Sequence, residues 1–233
     1  MTESPISRIP YNMIFTIERV MFCGVDEAGR GSVMGPLVVG AVYAEDDAPL
    51  KQLGVKDSKK LRPRIRERLF DEIIECSVDH CVVIISAEDI DRGRQKQSLN
   101  DIEMDMFHEA ASKIPTVRVY ADCPDVNEYG FSNALSVKLK NTVVIARHKA
   151  DDTYPIVSAA SIIAKVTRDR IIEDITKEFG EDVGSGYPSD PYTMEFIEKW
   201  IKQNGCSPKH TRNSWEPVKR MLSVYANTKI TDW

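Results

Sequence analysis

The sequence lacks three features that mark common classes of protein: paired cysteines, a long apolar run and a surplus of positive charge. Its five cysteines form no Cys-x-x-Cys pair, and no histidine pair complements Cys76 and Cys81 in a zinc site. We therefore expect reduced thiols in an intracellular protein, with neither a disulfide framework nor structural zinc. The longest apolar stretch, 33–44, is interrupted by glycine and proline and is too short to span a bilayer.

The N-terminal residues lack the layout of a secretory signal peptide, because Glu3, Arg8 and Glu18 interrupt them. A cytoplasmic protein without a membrane partner is therefore predicted. The formal net charge of −5 argues against indiscriminate binding to nucleic acid. Even so, seven cations lie within residues 56–68, a run typical of a solvated helix face or of a phosphate-binding surface.

The most informative stretch reads Asp26-Glu27-Ala28-Gly29-Arg30-Gly31 and follows an apolar run predicted as a β-strand. Adjacent carboxylates at the end of a buried strand repel each other and are costly to desolvate. A divalent cation such as Mg²⁺ or Mn²⁺ would relieve that repulsion. The two glycines allow a ligand to approach the backbone, and Arg30 can meet a phosphate. The alternative is an ordinary strand end followed by a turn.

Strand and helix patterns alternate along the chain, which predicts an α/β fold with a mixed sheet flanked by helices. Five strands are predicted at 21–26, 36–44, 80–86, 117–122 and 143–146. Helices are predicted at 61–73, 99–114, 155–179, 192–203 and 214–225. Ser58 is the predicted N-cap of the first helix.

Four carboxylates are candidates for a cation site: Asp26, Glu27, Asp122 and Asp151. Asp26 and Asp122 both fall at predicted strand ends, where neighbouring strands can bring them together. Two cations held by such groups stabilise both the attacking and the leaving oxygen when a phosphodiester is hydrolysed. Taken singly, each aspartate is more typical of a solvated or capping residue than of a cation ligand.

The chain resembles ribonuclease HII, the type 2 ribonuclease H, in a series of motifs that occur in the family's order from about residue 21 to about residue 215. The variant at residues 148–152 is more similar to the archaeal branch of the family than to the bacterial one. Besides the hexapeptide, the matching segments are Asp57-Ser58-Lys59-Lys60-Leu61, Tyr120-Ala121-Asp122, His148-Lys149-Ala150-Asp151-Asp152, Val157-Ser158-Ala159-Ala160-Ser161, Ala164-Lys165-Val166-Thr167-Arg168-Asp169 and Gly184-Ser185-Gly186-Tyr187-Pro188-Ser189-Asp190.

This resemblance implies a ribonuclease H-like fold with a mixed five-stranded sheet and a small C-terminal helical subdomain. The implied division is an N-terminal extension at 1–20, a catalytic domain at 21–180, the subdomain at 181–226 and a tail at 227–233. The implied activity is hydrolysis of the RNA strand of RNA–DNA hybrids and nicking on the 5′ side of ribonucleotides embedded in duplex DNA. The products would carry 3′-hydroxyl and 5′-phosphate ends, and two Mg²⁺ or Mn²⁺ ions would take part.

The resemblance also assigns roles to residues. Asp26, Glu27, Asp122 and Asp151 would be the catalytic metal ligands, with Asp151 preferred to Asp152 by its position after Lys-Ala. Contact with the ribose 2′-hydroxyl, the group that distinguishes RNA from DNA, is implied for Gly29, Arg30 and Gly31. Tyr187 would pack on the sugar beside the cut. Phosphate contacts are implied for Lys59, Lys60, Lys149, Ser158 and Arg168.

Two other functions remain open at this stage: a ribonuclease HIII-type enzyme, and a protein that binds RNA–DNA hybrids without cutting them. A monomer is expected. Archaeal relatives often end in a peptide that docks on the sliding clamp, and Asn227, Ile230 and Trp233 have its spacing within Asn227–Trp233. The alternative for this segment is a frayed terminus.

Overall fold

A five-stranded mixed sheet forms the centre of the computed structural model, which describes residues 20–55, 62–140 and 142–231. The spatial order is β3-β2-β1-β4-β5, with β2 antiparallel to both neighbours and β1, β4 and β5 parallel. This confirms the predicted mixed sheet. The strands are β1 (Phe22–Ala28), β2 (Leu37–Ala44), β3 (Asp79–Ile85), β4 (Arg118–Asp122) and β5 (Val143–Arg147).

The strand register explains why the first and fourth strands share a site. Val25 of β1 lies opposite Ala121 of the parallel strand β4. Asp26 and Asp122 each follow one residue later, so the two carboxylates leave the sheet at the same edge. Parallel strands in the middle of a sheet thus bring together residues that are far apart in sequence.

Helices cover both faces of the sheet. Their bounds are α1 (Ala48–Gln52), α2 (Pro63–Cys76), α3 (Ala87–Gly93), α4 (Leu99–Ala111), α5 (Glu128–Lys138), α6 (Ala150–Thr153), α7 (Pro155–Phe179), α8 (Pro191–Asn204) and α9 (Glu216–Thr231). Among the described residues, no helix is long and apolar enough to cross a bilayer.

Several helix ends differ from the prediction. The predicted N-cap of α2 is wrong, because Arg62 occupies that position and Pro63, whose fixed φ suits the first helical turn, begins the helix. Ser58 itself lies outside the described residues. Helices α1, α3, α5 and α6 were not predicted, and α9 continues past Tyr225 to Thr231.

The long helix α7 lies unusually close to the sheet because two glycines face it. A Cβ on Gly24 would come within 2.3 Å of the Ile156 carbonyl oxygen, and one on Gly40 within 2.6 Å of the Ala160 carbonyl oxygen. Only glycine allows this backbone approach. As a result, α7 runs past the end of β1 with its side chains against Asp26.

The C-terminal helices pack on the far half of α7. Phe196 and Ile201 of α8 and Val218 of α9 share a buried cluster with Ile172 and Val33. Val33 belongs to the segment that follows Gly31, so the C-terminal helices reach the glycine-rich stretch directly. The core of the sheet and this smaller core therefore meet at the candidate site.

Candidate active site

We call Asp26, Glu27, Asp122 and Asp151 the acidic cluster. Asp26, near the end of β1, is buried, as is Asp151 in α6. The short helix α6 is held beside β4, because the backbone N–H of Ala150 donates to Asp122 Oδ1 at 2.8 Å. The structure thus brings three of the predicted carboxylates to one edge of the sheet.

Glu27 points to the other face of the strand, as the alternation of side chains in β1 requires. Its carboxylate interacts with the charges of Glu103 and Arg30, whereas Asp26 faces Ser161 and Lys165 of α7. Glu27 Oε2 is buried and has no hydrogen-bond partner among the described residues. A buried carboxylate oxygen without a donor is costly unless a ligand satisfies it.

The electrostatics of the cluster are unfavourable without a bound cation. Burial, and then the charge of Asp122, raises the pKa of Asp26 to about 7. Burial also raises the pKa of Glu27 well above its usual range, with repulsion from Asp26 and Glu103 adding to the effect. Within the described residues, no three Asp, Glu, His or Cys side chains surround one point closely enough to hold an ion. The oxygen-only donors and the unsatisfied Glu27 oxygen nevertheless fit a hard divalent cation.

Two residues of α7 that the sequence analysis did not single out act on Asp26. Ser161 hydrogen-bonds to the Asp26 carboxylate, and both this bond and the charge of Lys165 lower the pKa of Asp26. Lys165 in turn donates to the Ser161 hydroxyl at 2.5 Å. Residues 161, 165 and 168 have the spacing of one helix face, and that periodicity was the available signal.

The arginine of the hexapeptide is oriented by α4. Arg30 Nε lies 2.9 Å from the carboxylate of Glu103, which is fully buried, and Arg30 Nη2 donates to Asn100 Oδ1 at 2.8 Å. Charged hydrogen bonds of this kind fix both the direction and the plane of a guanidinium group. Arg30 is therefore held at the surface of the site and does not sweep through solvent.

We call Gly29–Gly31 the recognition turn. Gly29 adopts a φ of 91°, which a side chain would strain, and an added Cβ would lie 2.4 Å from Arg168 Nε. Arg168 is itself buried and donates to the carbonyls of Met34 and Ser185 at 3.2 and 3.1 Å. Its guanidinium also lies 4.6 Å from the ring centroid of Tyr187, which holds that half-buried ring beside the turn.

Two of the residues predicted to contact phosphate are buried inside the protein. The hydroxyl of Ser158 is buried and donates to the Val55 carbonyl, and Arg168 is buried behind the recognition turn. Both side chains are occupied within the protein, so we correct their role from phosphate contact to support. Lys149 is exposed immediately before α6, and Lys59 and Lys60 lie outside the described residues.

The family model of ribonuclease HII matches residues 23–218. The chain is 46% identical over 213 residues to the ribonuclease HII of Pyrococcus abyssi, across 89% of this chain and 94% of that protein.

Two solved structures are similar along almost their whole length. The crystal structure of ribonuclease H2 from Pyrococcus horikoshii has a TM-score of 0.83 and 42% identity, covering 89% of this chain and 99% of that one. Ribonuclease HII from Archaeoglobus fulgidus, solved in complex with PCNA, has a TM-score of 0.81 and 42% identity, covering 86% and 96%.

Proposed function

Because this chain belongs to the ribonuclease HII family, we propose that the acidic cluster and the recognition turn form the two halves of its active site. As a member of the family, the protein is a metal-dependent endoribonuclease. It hydrolyses the RNA strand of RNA–DNA hybrids and nicks 5′ of ribonucleotides embedded in duplex DNA. Membership in this family sets aside the ribonuclease HIII-type and non-cleaving alternatives.

We propose Asp26, Glu27, Asp122 and Asp151 as the ligands of two Mg²⁺ or Mn²⁺ ions. Two observations support this proposal: burial, and then the charge of Asp122, raises the pKa of Asp26, and a buried Glu27 oxygen has no hydrogen-bond partner among the described residues. When bound, two such ions stabilise the attacking and the leaving oxygen of an in-line displacement. Since no three carboxylates of the described residues surround one point closely enough to hold an ion, binding would draw their side chains together.

The other residues of the chain orient these ligands. Ser161 and Lys165 would keep the Asp26 carboxylate turned toward α7 and partly offset its charge. The Ala150 N–H would fix one oxygen of Asp122 and so orient this carboxylate for the cation. Asp151 lies in α6 immediately after Ala150, so the same hydrogen bond would also set its position.

Recognition is assigned to the basic side of the site. We propose that Gly29, Arg30 and Gly31 contact the ribose 2′-hydroxyl and adjacent phosphates, since the 2′-hydroxyl is what distinguishes RNA from DNA. Tyr187, held by Arg168, would pack on the sugar beside the cut. Lys149 would contact a phosphate, which positions substrate without reading sequence. Lys59 and Lys60 keep the same proposed role.

The test is a nicking assay on a labelled duplex that contains one ribonucleotide, with an all-DNA duplex of the same sequence beside it. We expect Mg²⁺- or Mn²⁺-dependent cleavage on the 5′ side of the ribonucleotide, giving 3′-hydroxyl and 5′-phosphate ends, and none with EDTA. Asp26→Asn prepared in parallel reports contaminating nuclease. Cleavage of the all-DNA duplex at a similar rate would contradict the proposed recognition.

We further propose a catalytic domain at 21–180 and a subdomain at 181–226, in a protein that acts as a cytoplasmic monomer. The free state of all five cysteines agrees with a reducing compartment. The shared cluster of α7, α8 and α9 supports a subdomain that is attached closely to the catalytic domain.

The segment Asn227–Trp233 is proposed to dock on the sliding clamp. The relative from Archaeoglobus fulgidus was solved with PCNA, and Asn227 is exposed near the end of α9. Trp233 lies outside the described residues. Titration of the organism's clamp with the full chain, a variant ending at Ala226, Ile230→Ala and the control Thr228→Ala tests this. Equal binding by the full and shortened chains would contradict it.

A further inference from the structure

Arg212 is a fully buried arginine that neither sequence motif nor proposed chemistry uses. It lies in the segment between α8 and α9. Its Nε and Nη2 donate to the Gly35 carbonyl at 3.2 and 3.1 Å, and its Nη1 donates to the Arg30 carbonyl at 3.0 Å. One guanidinium thus holds both ends of residues 30–35.

The backbone around Arg212 runs along the same residues. The N–H of Arg212 donates to the Val33 carbonyl and the N–H of Gly35 donates to the His210 carbonyl, each at 2.8 Å. Met34 and Thr211 form an isolated antiparallel bridge. The segment that carries Arg212 is therefore anchored to the glycine-rich stretch by main-chain bonds, so the guanidinium has a fixed origin.

The three side-chain hydrogen bonds described for Arg212 all go to backbone carbonyls. Burying a cation on neutral acceptors costs more than leaving it in water or pairing it with a carboxylate. The planar fork of arginine can reach two carbonyls at a set spacing, which the point charge of lysine cannot reproduce. Arg212 thus fixes the positions of two carbonyl groups at a cost to the stability of the fold.

The planarity of the peptide bond carries this geometry to the substrate side. In a trans peptide the carbonyl of Arg30 and the N–H of Gly31 point in opposite directions, and no peptide bond between described residues is cis. Because the Arg30 carbonyl points inward to Arg212, the Gly31 N–H points outward. Gly31 is exposed, and a Cβ built there would have no atom within 4 Å.

We propose that Arg212 is a positioning residue that aims the Gly31 N–H at the substrate and so sets the preference of the recognition turn for a ribonucleotide. This inference rests on the proposed function of that turn. Arg30 is held at the same time through its side chain by Glu103. With its carbonyl and side chain both fixed, the peptide has little freedom to rotate.

The experiment compares binding to two duplexes that differ only in one 2′-hydroxyl, by fluorescence anisotropy in EDTA so that no strand is cut. The readout is the ratio of the two affinities, which a general loss of stability would not change. For wild type we expect a preference on the order of tenfold, the worth of one well-made hydrogen bond. Arg212→Lys and Arg212→Gln should reduce it to about twofold while affinity for the DNA duplex stays similar.

Two variants serve as matched controls. The guanidinium carbon of Arg94 lies 4.9 Å from the ring centroid of Trp215, the same distance as that of Arg212. Arg94, however, donates to the Ser214 hydroxyl, whereas Arg212 donates to the recognition turn. Arg94→Gln should therefore keep the wild-type ratio. Val218→Ala removes a buried contact from the same C-terminal core and should lower the melting temperature without changing the ratio.

The outcomes separate the two levels of the proposal. A wild-type protein without any preference would overturn the proposed role of the turn, and this inference with it. A wild-type preference that survives in folded Arg212→Lys would overturn the role of Arg212 alone. An equal loss of the ratio in Val218→Ala would also overturn it, because loosening of the core would then be sufficient. Arg212→Lys keeps the charge and the stem, so it provides the test if Arg212→Gln does not fold.

Discussion

The acidic cluster contains buried like charges, and burial together with their repulsion raises the pKa of Asp26 and Glu27. The recognition turn a few residues away, in contrast, is held by guanidinium groups whose hydrogen bonds are made within the protein. Asp26 and Asp122 oppose each other across two parallel strands. Arg30, in contrast, is fixed by Glu103, and its carbonyl by Arg212. The negative charge of the acidic cluster is only partly compensated, whereas the hydrogen bonds that hold the recognition turn are already made.

This difference indicates how cation binding and substrate recognition are divided between the two halves of the proposed site. The acidic cluster depends on a ligand to balance its charge, so its side chains are expected to rearrange when a cation binds. The recognition turn needs no ligand to hold its shape, so under the proposed function it has its binding geometry before the substrate arrives. Preorganised donors cost little reorganisation when they meet their target.

Removal of one charge from the acidic cluster should have the largest effect on activity. Asp26→Asn or Asp122→Asn should lower the nicking rate by several orders of magnitude, because a metal ligand is lost. The melting temperature of the metal-free variant should stay equal or rise, since repulsion is relieved. Single-turnover nicking and thermal denaturation measure the two effects. Near-wild-type turnover in preparations free of host nuclease would rule out the assignment.

The next largest effect distinguishes two adjacent aspartates. Asp151 is only 2% exposed, whereas Asp152 is exposed. Asp151→Asn should therefore lose roughly a hundredfold or more in kcat/KM, and Asp152→Asn only a few-fold. Both variants carry the same chemical change, so each is a control for the other. If Asp152→Asn lost more activity than Asp151→Asn, the assigned carboxylate would be Asp152 and not Asp151.

A smaller effect tests whether the satisfied half acts as a rigid platform. Tyr187→Ala should cut the single-ribonucleotide duplex about tenfold more weakly, because the ring that Arg168 holds is lost. Long hybrids offer many registers and should lose less, and Tyr187→Phe should keep most activity. Steady-state kinetics on both substrates gives the comparison. Equal losses on the two would indicate a general role in folding or binding.

A further effect is on stability and tests directly whether the buried charge of Asp26 destabilises the metal-free protein. Since the folded pKa of Asp26 is raised to about 7 from an unfolded value near 3.9, the folded metal-free protein binds more protons between these values. This group should therefore lower stability as pH rises from about 4 to 7, by at most about 4 kcal/mol. Mg²⁺ should restore stability at pH 8, and Asp26→Asn should flatten the dependence. Denaturant unfolding at several pH values, with and without Mg²⁺, measures it; no change in slope in the variant would contradict the assignment.

The strands and the long helix could be predicted from the sequence because the signals for them are local. The five strands follow apolar runs, and α7 begins at Pro155 and is capped by Gly180, as the sequence predicted. Helix α5 was missed because it buries only Phe131 and Leu135 and exposes Tyr129 and Val137, which blurs its periodicity.

The supports of the site were harder to predict because they join distant parts of the chain. Glu103 reaches Arg30 across 73 residues, and Arg212 reaches the Arg30 carbonyl across 182. Nothing local in the sequence distinguishes Arg212 from other arginines, since its role arises from two carbonyls it meets only after folding. Asp26 and Asp122, in contrast, were marked by their places at strand ends.

The pairing of residues 33–35 with residues 210–212 also has a consequence for synthesis. During synthesis, the residues of the sheet and most of α7 leave the ribosome well before residues 210–212, which anchor the recognition turn. At roughly 5–20 residues per second, about ten to forty seconds separate the turn from Arg212. We therefore expect a nascent chain to have its carboxylates in place while the backbone proposed to contact the ribose is still unfixed, so that discrimination would be among the last properties the newly made enzyme acquires.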